Sequence, residues 1–333
     1  MNSQNDVGPN GRRLLPLATT DNQRRAGVVR SRIDTSRNTD VRPPWIKVTA
    51  TQGAEYRDLS QLVRGKSLNT VCQQAACPNI FECWEQREVS FIVGGEDCTR
   101  RCAFCQIRTG KPGPLDRDEP RRLGAAVSYL RLNFVVVTMV ARDDLHDGGA
   151  WLIAECIRQI RSQSPDCGIE VLPSDFGYAR NPERGGESLR TVVDAAPDVF
   201  AFNLETTRRL FSDIRPAFDY ERSLEYLALA RELMPTSTAI KSNIIVGMGE
   251  TDEEVFDCLR DLRQAGVSLV TIGQYLQPSD GHLRVDRYVT PEQFAAYRTH
   301  GLDLGLAHIE AGPLVRSSYH AGDQAESAKA WAR

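Results

Sequence analysis

Three cysteines fall within eight residues in Cys98-Thr-Arg-Arg-Cys102-Ala-Phe-Cys105, directly after the apolar run Ser90-Phe-Ile-Val-Gly-Gly95. That spacing lets one loop offer three thiolates to a single face of a metal cluster, and thiolate is the donor that iron–sulfur clusters take. Three ligands are one fewer than a cubane usually has, which leaves one iron free to bind something other than protein. A structural zinc site made from Cys102-x-x-Cys105, Cys98 and a distant ligand is the competing reading. Zinc modules usually present two paired cysteine motifs, whereas this loop has one pair and one single cysteine.

The loop resembles the signature of the radical S-adenosylmethionine (SAM) superfamily, C-x3-C-x2-C with an aromatic before the last cysteine, here Phe104. The resemblance implies that Cys98, Cys102 and Cys105 hold a [4Fe-4S] cluster whose open iron chelates the amino and carboxylate groups of SAM. In that superfamily an electron from the cluster cleaves SAM to methionine and a 5′-deoxyadenosyl radical, which abstracts hydrogen from unactivated carbon. Phe104 is then expected against the adenine.

A second group, Cys72, Cys77 and Cys83, has the spacing C-x4-C-x5-C. A zinc knuckle would want C-x-x-C or histidines, and no histidine precedes His146. A second iron–sulfur cluster, again short of one cysteine, fits better, and its fourth ligand must come from elsewhere in the chain. Six of the nine cysteines lie between Cys72 and Cys105, and an odd count cannot pair completely as disulfides. The other three, Cys156, Cys167 and Cys258, read as small buried hydrophobes.

The chain of 333 residues is 41% hydrophobic and 26% charged with net charge −3, so no basic excess points to nucleic acid. No apolar run is long enough to span a bilayer, and no hydrophobic leader stands at the start. A cytoplasmic protein with reduced thiols and no membrane partner is expected. Residues 1–42, rich in Asn, Ser, Thr and Arg with interspersed acids, read as a disordered, solvated arm.

Six β-rich runs must position the cysteines: 90–93, 134–140, 169–172, 199–204, 240–246 and 269–275. Between them lie helical stretches at about 120–131, 150–162, 187–195, 222–233 and 252–265, the last opened by a capping box of Thr251 and Glu254. Such βα repetition implies an α/β fold, a partial (βα)6 TIM-like barrel with N- and C-terminal extensions. Six units are too few to close the usual barrel, so one side stays open to a large substrate, and functional groups belong at the carboxyl ends of the strands. Polar loops do follow the strands, among them 141–149, 203–206, 247–254 and 274–279. The expected division is an extension over 43–88, the barrel over 89–288, and a C-terminal extension over 289–333 with a helix at about 291–304. In that last part Arg316-Ser317-Ser318, after a Gly-Pro turn, reads either as a ligand loop or as a surface tail.

Taken in order, Val-Cys72-x4-Cys77-Pro-Asn-Ile-Phe-Glu-Cys83-Trp, the Cys98–Cys105 loop, Arg-Asp-Asp-Leu-x-Asp-Gly-Gly, Asn-Leu-Glu-Thr, Gly-Met-Gly-Glu-Thr and Gly-Pro-Leu-Val-Arg-Ser-Ser-Tyr-His resemble the lipoyl synthase family from about Trp45 to His320. The resemblance implies that Cys72, Cys77 and Cys83 hold an auxiliary [4Fe-4S] cluster with a serine as fourth ligand, Ser317 first and Ser318 as the fallback. A serine alkoxide is a harder and poorer partner for iron than thiolate, so that corner should detach readily, and Arg316 could release the serine by offering it a hydrogen bond. Asn203 and Glu205 resemble the superfamily's ribose-gripping positions, while Lys241 and Arg142 are candidates for the SAM carboxylate or the substrate mouth. The implied reaction inserts two sulfur atoms, drawn from the auxiliary cluster, into an octanoyl chain carried on a lysine. The implied partners are lipoyl carrier domains (2-oxoacid dehydrogenase E2 and glycine cleavage H protein), a flavodoxin- or ferredoxin-type reductant and an iron–sulfur carrier protein.

Three places depart from the family pattern: Phe202 where histidine is usual, Met139 where a small hydroxyl residue is usual, and Leu172-Pro-Ser-Asp-Phe176 in place of Pro-Asp-Phe. They leave open a paralogue that thiolates another carrier-bound acyl chain. A non-catalytic zinc or electron-transfer protein is the alternative of a different class.

Overall fold

Valine, isoleucine and phenylalanine dominate the six expected runs, and each forms a parallel strand in the computed structural model, which describes residues 42–47 and 52–331. The arm expected over 1–42 lies, but for its last residue, outside the described residues. The strands are β1 (Asn69–Thr70), β2 (Ser90–Val93), β3 (Asp97–Cys98), β4 (Arg108–Thr109), β5 (Phe134–Met139), β6 (Gly168–Leu172), β7 (Val199–Ala201), β8 (Ala239–Val246), β9 (Leu269–Gln274) and β10 (His308–Gly312). Spatial order follows chain order in one eight-stranded sheet, β1-β2-β5-β6-β7-β8-β9-β10, with β3 and β4 forming a separate pair. Every neighbouring pair from β2 to β10 is parallel, so helices must carry the chain back between strands. They do so at Glu119–Leu130, Ala150–Gln163, Pro182–Val193, Tyr220–Leu233 and Asp252–Gln264.

Local chemistry sets several boundaries. The helix expected from 187 starts at Pro182, because the Asn181 side chain accepts from the Arg184 N–H and Pro182 fills the first helical position. Thr251 and Glu254 form the reciprocal capping box, with bonds of 2.9 and 3.3 Å. β7 stops at Ala201, short of the expected 204, because the chain turns at Glu205, which holds a left-handed φ of +71° and bridges to Ile244.

Four strands were not expected: the two sheet edges β1 and β10, and the separate pair β3 and β4. β1 adds an antiparallel edge to β2, and β10 pairs with β9 from His308↔Leu269 to Gly312↔Gly273. β1 and β10 are the two edges of the sheet, so the barrel has a lateral opening. Residues 313–320 run along it and are stitched to the N-terminal extension: Asn79 Nδ2 donates to the Leu314 carbonyl at 2.6 Å, Tyr319 Oη to Glu82 at 3.2 Å, and His320 Nδ1 lies 3.4 Å from Glu88. The chain then enters the helix Ala321–Trp331, whose Ala325 and Ala328 pack with Val199 and Leu269 beside Phe134 and Ala239. Those four are the first residues of β7, β9, β5 and β8, so this helix caps the amino end of the barrel. Among the described residues no helix is long and apolar enough to cross a membrane.

Gly273 shows how tightly the 313–320 strap is set. A Cβ there would collide with the Val315 carbonyl oxygen and come within 3.3 Å of Arg316 Nη1. A backbone oxygen cannot rotate aside, so Gly273→Ala is expected to cost about 1–3 kcal/mol and to loosen the strap. Denaturant unfolding and limited proteolysis between 313 and 320 check this, and an unchanged midpoint with an uncut strap would refute the close fit.

Candidate active site

The loop that carries Cys98, Cys102 and Cys105 is clamped at its base and pinned in its middle. At the base, β3 pairs with β4 through Asp97↔Arg108 and Cys98↔Thr109, and the Gly110 N–H donates to the Cys98 carbonyl at 3.0 Å. One step earlier Gly94, at φ +92°, presents its N–H to Glu119 (2.9 Å) and its carbonyl to Arg142 Nη1 (2.7 Å). Arg142 Nη2 also donates to the Gly113 carbonyl at 3.0 Å, so one guanidinium ties both ends of the loop. In the middle, the buried Arg100 side chain is bidentate on Asp143, reaches Asp175 at 2.7 Å, and lies 4.4 Å over the Phe218 ring. These anchors belong to the loops after β5, β6 and β7, so the cysteine loop sits at the carboxyl ends of the strands.

The three thiols lie close together. Burial pushes the Cys105 thiol up, and its neighbours Cys102 and Cys98 and the Glu205 carboxylate push it further. Cys102 is also raised, first by burial, but the Arg215 guanidinium beside it pulls the other way. Arg215 is itself fixed 3.8 Å over the Phe218 ring and donates from Nη1 to the Asn203 carbonyl at 2.5 Å. On the other side of the loop His282 Nε2 lies 3.1 Å from the Cys105 carbonyl, with Ser279 Oγ on its Nδ1 at 2.8 Å. Phe104 is half-buried against Leu210, Met248 and Tyr275.

Glu205 and Asn203 meet beside this loop. Asn203 Nδ2 donates to Glu205 Oε1 at 2.9 Å, Asn243 Nδ2 donates to Oε2 at 2.7 Å, and Thr271 Oγ1 donates to Asn243 Oδ1 at 2.7 Å. Burial raises the Glu205 carboxyl, and Arg215 with the two amides opposes the rise. Asn203 Oδ1 is buried with no hydrogen-bond partner, an acceptor that a ligand hydroxyl could satisfy.

Cys72, Cys77 and Cys83 gather at the lateral opening. Burial lifts Cys72 to about 11, with Cys77 adding to the rise; Cys83 is also pushed up by burial and by Cys77, Glu88 and Cys72. Cys77 is raised by burial and lowered by Arg316, whose Nη1 donates to the Val315 carbonyl at 2.6 Å. A cavity of ≈350 Å³ is lined by all three cysteines, Arg316 and Ser318. The strap therefore brings a serine to this cysteine group from the far end of the chain, and it is Ser318, the fallback, rather than Ser317 that lines the wall. Arg316 also lies against Gly273, two residues along β9 from Thr271, so Gly273, Thr271, Asn243 and Glu205 lead across the barrel from one thiol group to the other.

Two expected cofactor contacts are engaged elsewhere. Lys241 is paired bidentately with Glu170 at 2.8 and 3.0 Å, each side chain 1% exposed, inside the barrel. Arg142 donates from all three of its guanidinium nitrogens, to Asp144, Gly94 and Gly113, and is a loop clamp. The departures Phe202 and Met139 belong to the hydrophobic core: Phe202 packs edge-on to Tyr226 at 5.0 Å, and Met139 sits beneath Gly149. Sequence reasoning missed Arg100, Arg215, Asn243 and His282. The first arginine of the Cys98–Cys105 loop, Arg100, is a local signal only for charge; its partners lie 43 and 75 residues away.

Soft thiolates in threes suit iron–sulfur clusters, and raised thiols release their protons only when metal takes their place. All six are free cysteines. Among the described residues no three His, Cys, Asp or Glu side chains are gathered closely enough to hold a single metal ion.

The sequence profile of the Radical SAM superfamily matches residues 92–272. Proteins named lipoyl synthase from Corynebacterium kroppenstedtii and Mycolicibacterium gilvum are 49% and 50% identical over 316 residues, which is 95% of this chain and 85% and 93% of theirs. Among solved structures the chain is similar to methylornithine synthase, with TM-score 0.52 at 13% identity over 66% of this chain and 63% of that one. It is also similar to Streptococcus suis SuiB bound to S-adenosylmethionine, with TM-score 0.51 at 11% identity over 77% and 60%. At those identities the likeness is one of fold.

Proposed function

The chain belongs to the lipoyl synthase family of the radical SAM superfamily, and from that premise we propose how its residues divide the work. It is a sulfurtransferase of the radical SAM type that works with SAM and two [4Fe-4S] clusters. In our reading Cys98, Cys102 and Cys105 hold the SAM-binding cluster, while Cys72, Cys77 and Cys83 with a strap serine hold the auxiliary one. When bound, the first supplies the electron that cleaves SAM and the second supplies the sulfur.

The chain's own residues orient and enclose. Asn203 and Glu205 are suited to the SAM ribose, because the free Asn203 Oδ1 and the twice-held Glu205 carboxylate can receive two hydroxyls. Phe104, on its apolar bed, offers a flat surface to adenine. Holding the reacting carbon between SAM and the auxiliary sulfide makes the transfer effectively unimolecular. The extension at 43–88 and that at 289–333 act as two halves of the auxiliary site, which the Asn79–Leu314 bond supports.

The substrate on this reading is an octanoyl-lysine on a lipoyl carrier domain of a 2-oxoacid dehydrogenase E2 or a glycine cleavage H protein. A flavodoxin- or ferredoxin-type protein supplies electrons, an iron–sulfur carrier renews the clusters, and the cytoplasm keeps the thiols reduced. The core location of Phe202 and Met139 favours octanoyl over another acyl chain.

One observation carries the assignment: Ser318 shares a cavity wall with Cys72, Cys77 and Cys83. Ser318→Ala is expected to lower auxiliary iron retention about 10–100-fold and to leave SAM cleavage intact, with Ser317→Ala near wild type. The reverse ranking would transfer the role to Ser317. Anaerobic incubation with SAM, a reductant and an octanoylated carrier domain tests the function itself by mass spectrometry. SAM cleavage with an unchanged octanoyl chain would favour the paralogue.

A further inference from the structure

We propose, on the two-cluster reading above, that Trp84 is a positioning residue of the auxiliary site. Its indole N–H is a hydrogen-bond donor built into the fold for the Cys72 thiolate, and it secures that ligand while the site gives up its sulfur. Trp84 brings no atom that iron takes, so its part is to hold a ligand and not to be one.

Trp84 follows Cys83 in the short helix Ile80–Glu85 and is wholly buried. Its ring lies 5.2 Å from that of Tyr56, which in turn stacks on Phe81 at 5.4 Å, so the indole is held by its faces. Nothing in that packing uses the N–H. Trp84 Nε1 is buried and completes no hydrogen bond, although a buried indole N–H ordinarily finds a partner. An orphaned buried donor is costly, and a wholly apolar ring would avoid the cost.

Cys72 reaches the indole from another part of the extension. β1 pairs with β2 through Thr70↔Phe91, and the helix Val71–Gln74 begins on the next residue under a Thr70 cap, which brings Cys72 to the same cavity wall as Ser90. The Cys72 carbonyl accepts from the Cys77 N–H at 3.0 Å. Burial lifts the Cys72 thiol and Cys77 lifts it further, while the Ser90 backbone and the Trp84 indole draw it down. The indole is therefore near enough to act on the sulfur before any bond is complete. A neutral thiol is a weak acceptor, whereas an anionic sulfur draws a charge-assisted bond. Deprotonation of Cys72 onto iron supplies the partner that Trp84 lacks.

The other two thiols are placed differently. Cys77 is opposed in its rise by Arg316, and Cys83 faces Glu88 and Glu82, which push it up after burial and Cys77. Arg316 sits on the strap two residues before Ser318 and moves with it, whereas Trp84 and Cys72 share the main hydrophobic core. Support for Cys72 thus stays in place when the strap's serine lets go.

The test uses the full chain with both clusters loaded and kept anaerobic. Bathophenanthroline disulfonate draws off iron, N-ethylmaleimide traps each cysteine as it comes free, and peptide mass spectrometry reads the rate at each position. Two changes remove the donor: Trp84→Phe, and Trp84→benzothienylalanine, which keeps the size and shape of the indole with sulfur in place of the N–H. In both, trapping of Cys72 is expected to rise roughly tenfold and to outpace that of Cys77 and Cys83, with Cys98, Cys102 and Cys105 at their wild-type rates. A benzothienylalanine chain that matches wild type would show that Trp84 only fills space and would overturn the donor role. An equal rise at all three thiols of the group would overturn it too. If iron loading gives the wild-type Cys72, Cys77 and Cys83 no protection, the two-cluster reading itself fails and the role of Trp84 with it.

Discussion

A Cys83→Ala protein is expected to go on cleaving SAM while transferring no sulfur. Cys83 belongs to the group at the lateral opening, whose thiols act on one another and on Glu88 and Arg316. The loop of Cys98, Cys102 and Cys105 is held by different residues, namely Arg100, Asp143, Asp175, Glu119 and Arg142. Loss of one auxiliary thiol should therefore leave that loop in place. Methionine and 5′-deoxyadenosine should form within about threefold of the wild-type rate, whereas sulfur product should fall by at least about 10³ because the donor itself is lost. Cys105→Ala should abolish both. If Cys83→Ala also stopped SAM cleavage with the protein still folded, the two groups would not be independent sites.

The second large effect concerns the ion pair inside the barrel. Lys241 and Glu170 have no water to turn to, and burial alone raises the Glu170 carboxyl while Lys241 holds it down. Lys241→Met leaves a buried carboxylate uncompensated, at about 3–5 kcal/mol of stability. That is a large part of the total for a domain, roughly 5–15 kcal/mol. The double change Lys241→Met with Glu170→Leu removes both charges and should recover most of the loss, since apolar replacement of a buried pair is often neutral. Denaturant unfolding of the two singles and the double gives the coupling. A double variant as unstable as Lys241→Met would show that the pair's worth lies in something other than its charge. SAM cleavage retained by the double would establish that Lys241 does not bind SAM.

Features with a local period were legible in the sequence. The strands from 90 to 274 announce themselves as apolar runs, the capping box at Thr251 is a four-residue pattern, and the cysteine spacings name their own chemistry. What escaped is long-range. β10 is a strand because Gly312 finds Gly273, and the closing helix sets small residues, Ala325 and Ala328, against the feet of four strands. Lys241 and Arg142 show the same limit from the other side: a cation near a strand end suggests a ligand until Glu170, Gly94 and Gly113 are seen to claim it. That Ser318 and not Ser317 lines the cavity beside Cys72, Cys77 and Cys83 follows from the strap's path, which no spacing encodes.

The central claim is that the Cys72–Cys77–Cys83 group yields the sulfur while the Cys98–Cys102–Cys105 group cleaves SAM. It is tested most directly by building the clusters with isotopically heavy sulfide, running a single turnover on an octanoylated carrier domain in ordinary sulfide, and weighing the product. Both inserted sulfur atoms should be heavy in the wild type, and no sulfur should be inserted in Cys83→Ala. Light sulfur in the wild-type product, or heavy sulfur from the Cys83→Ala chain, would contradict the account.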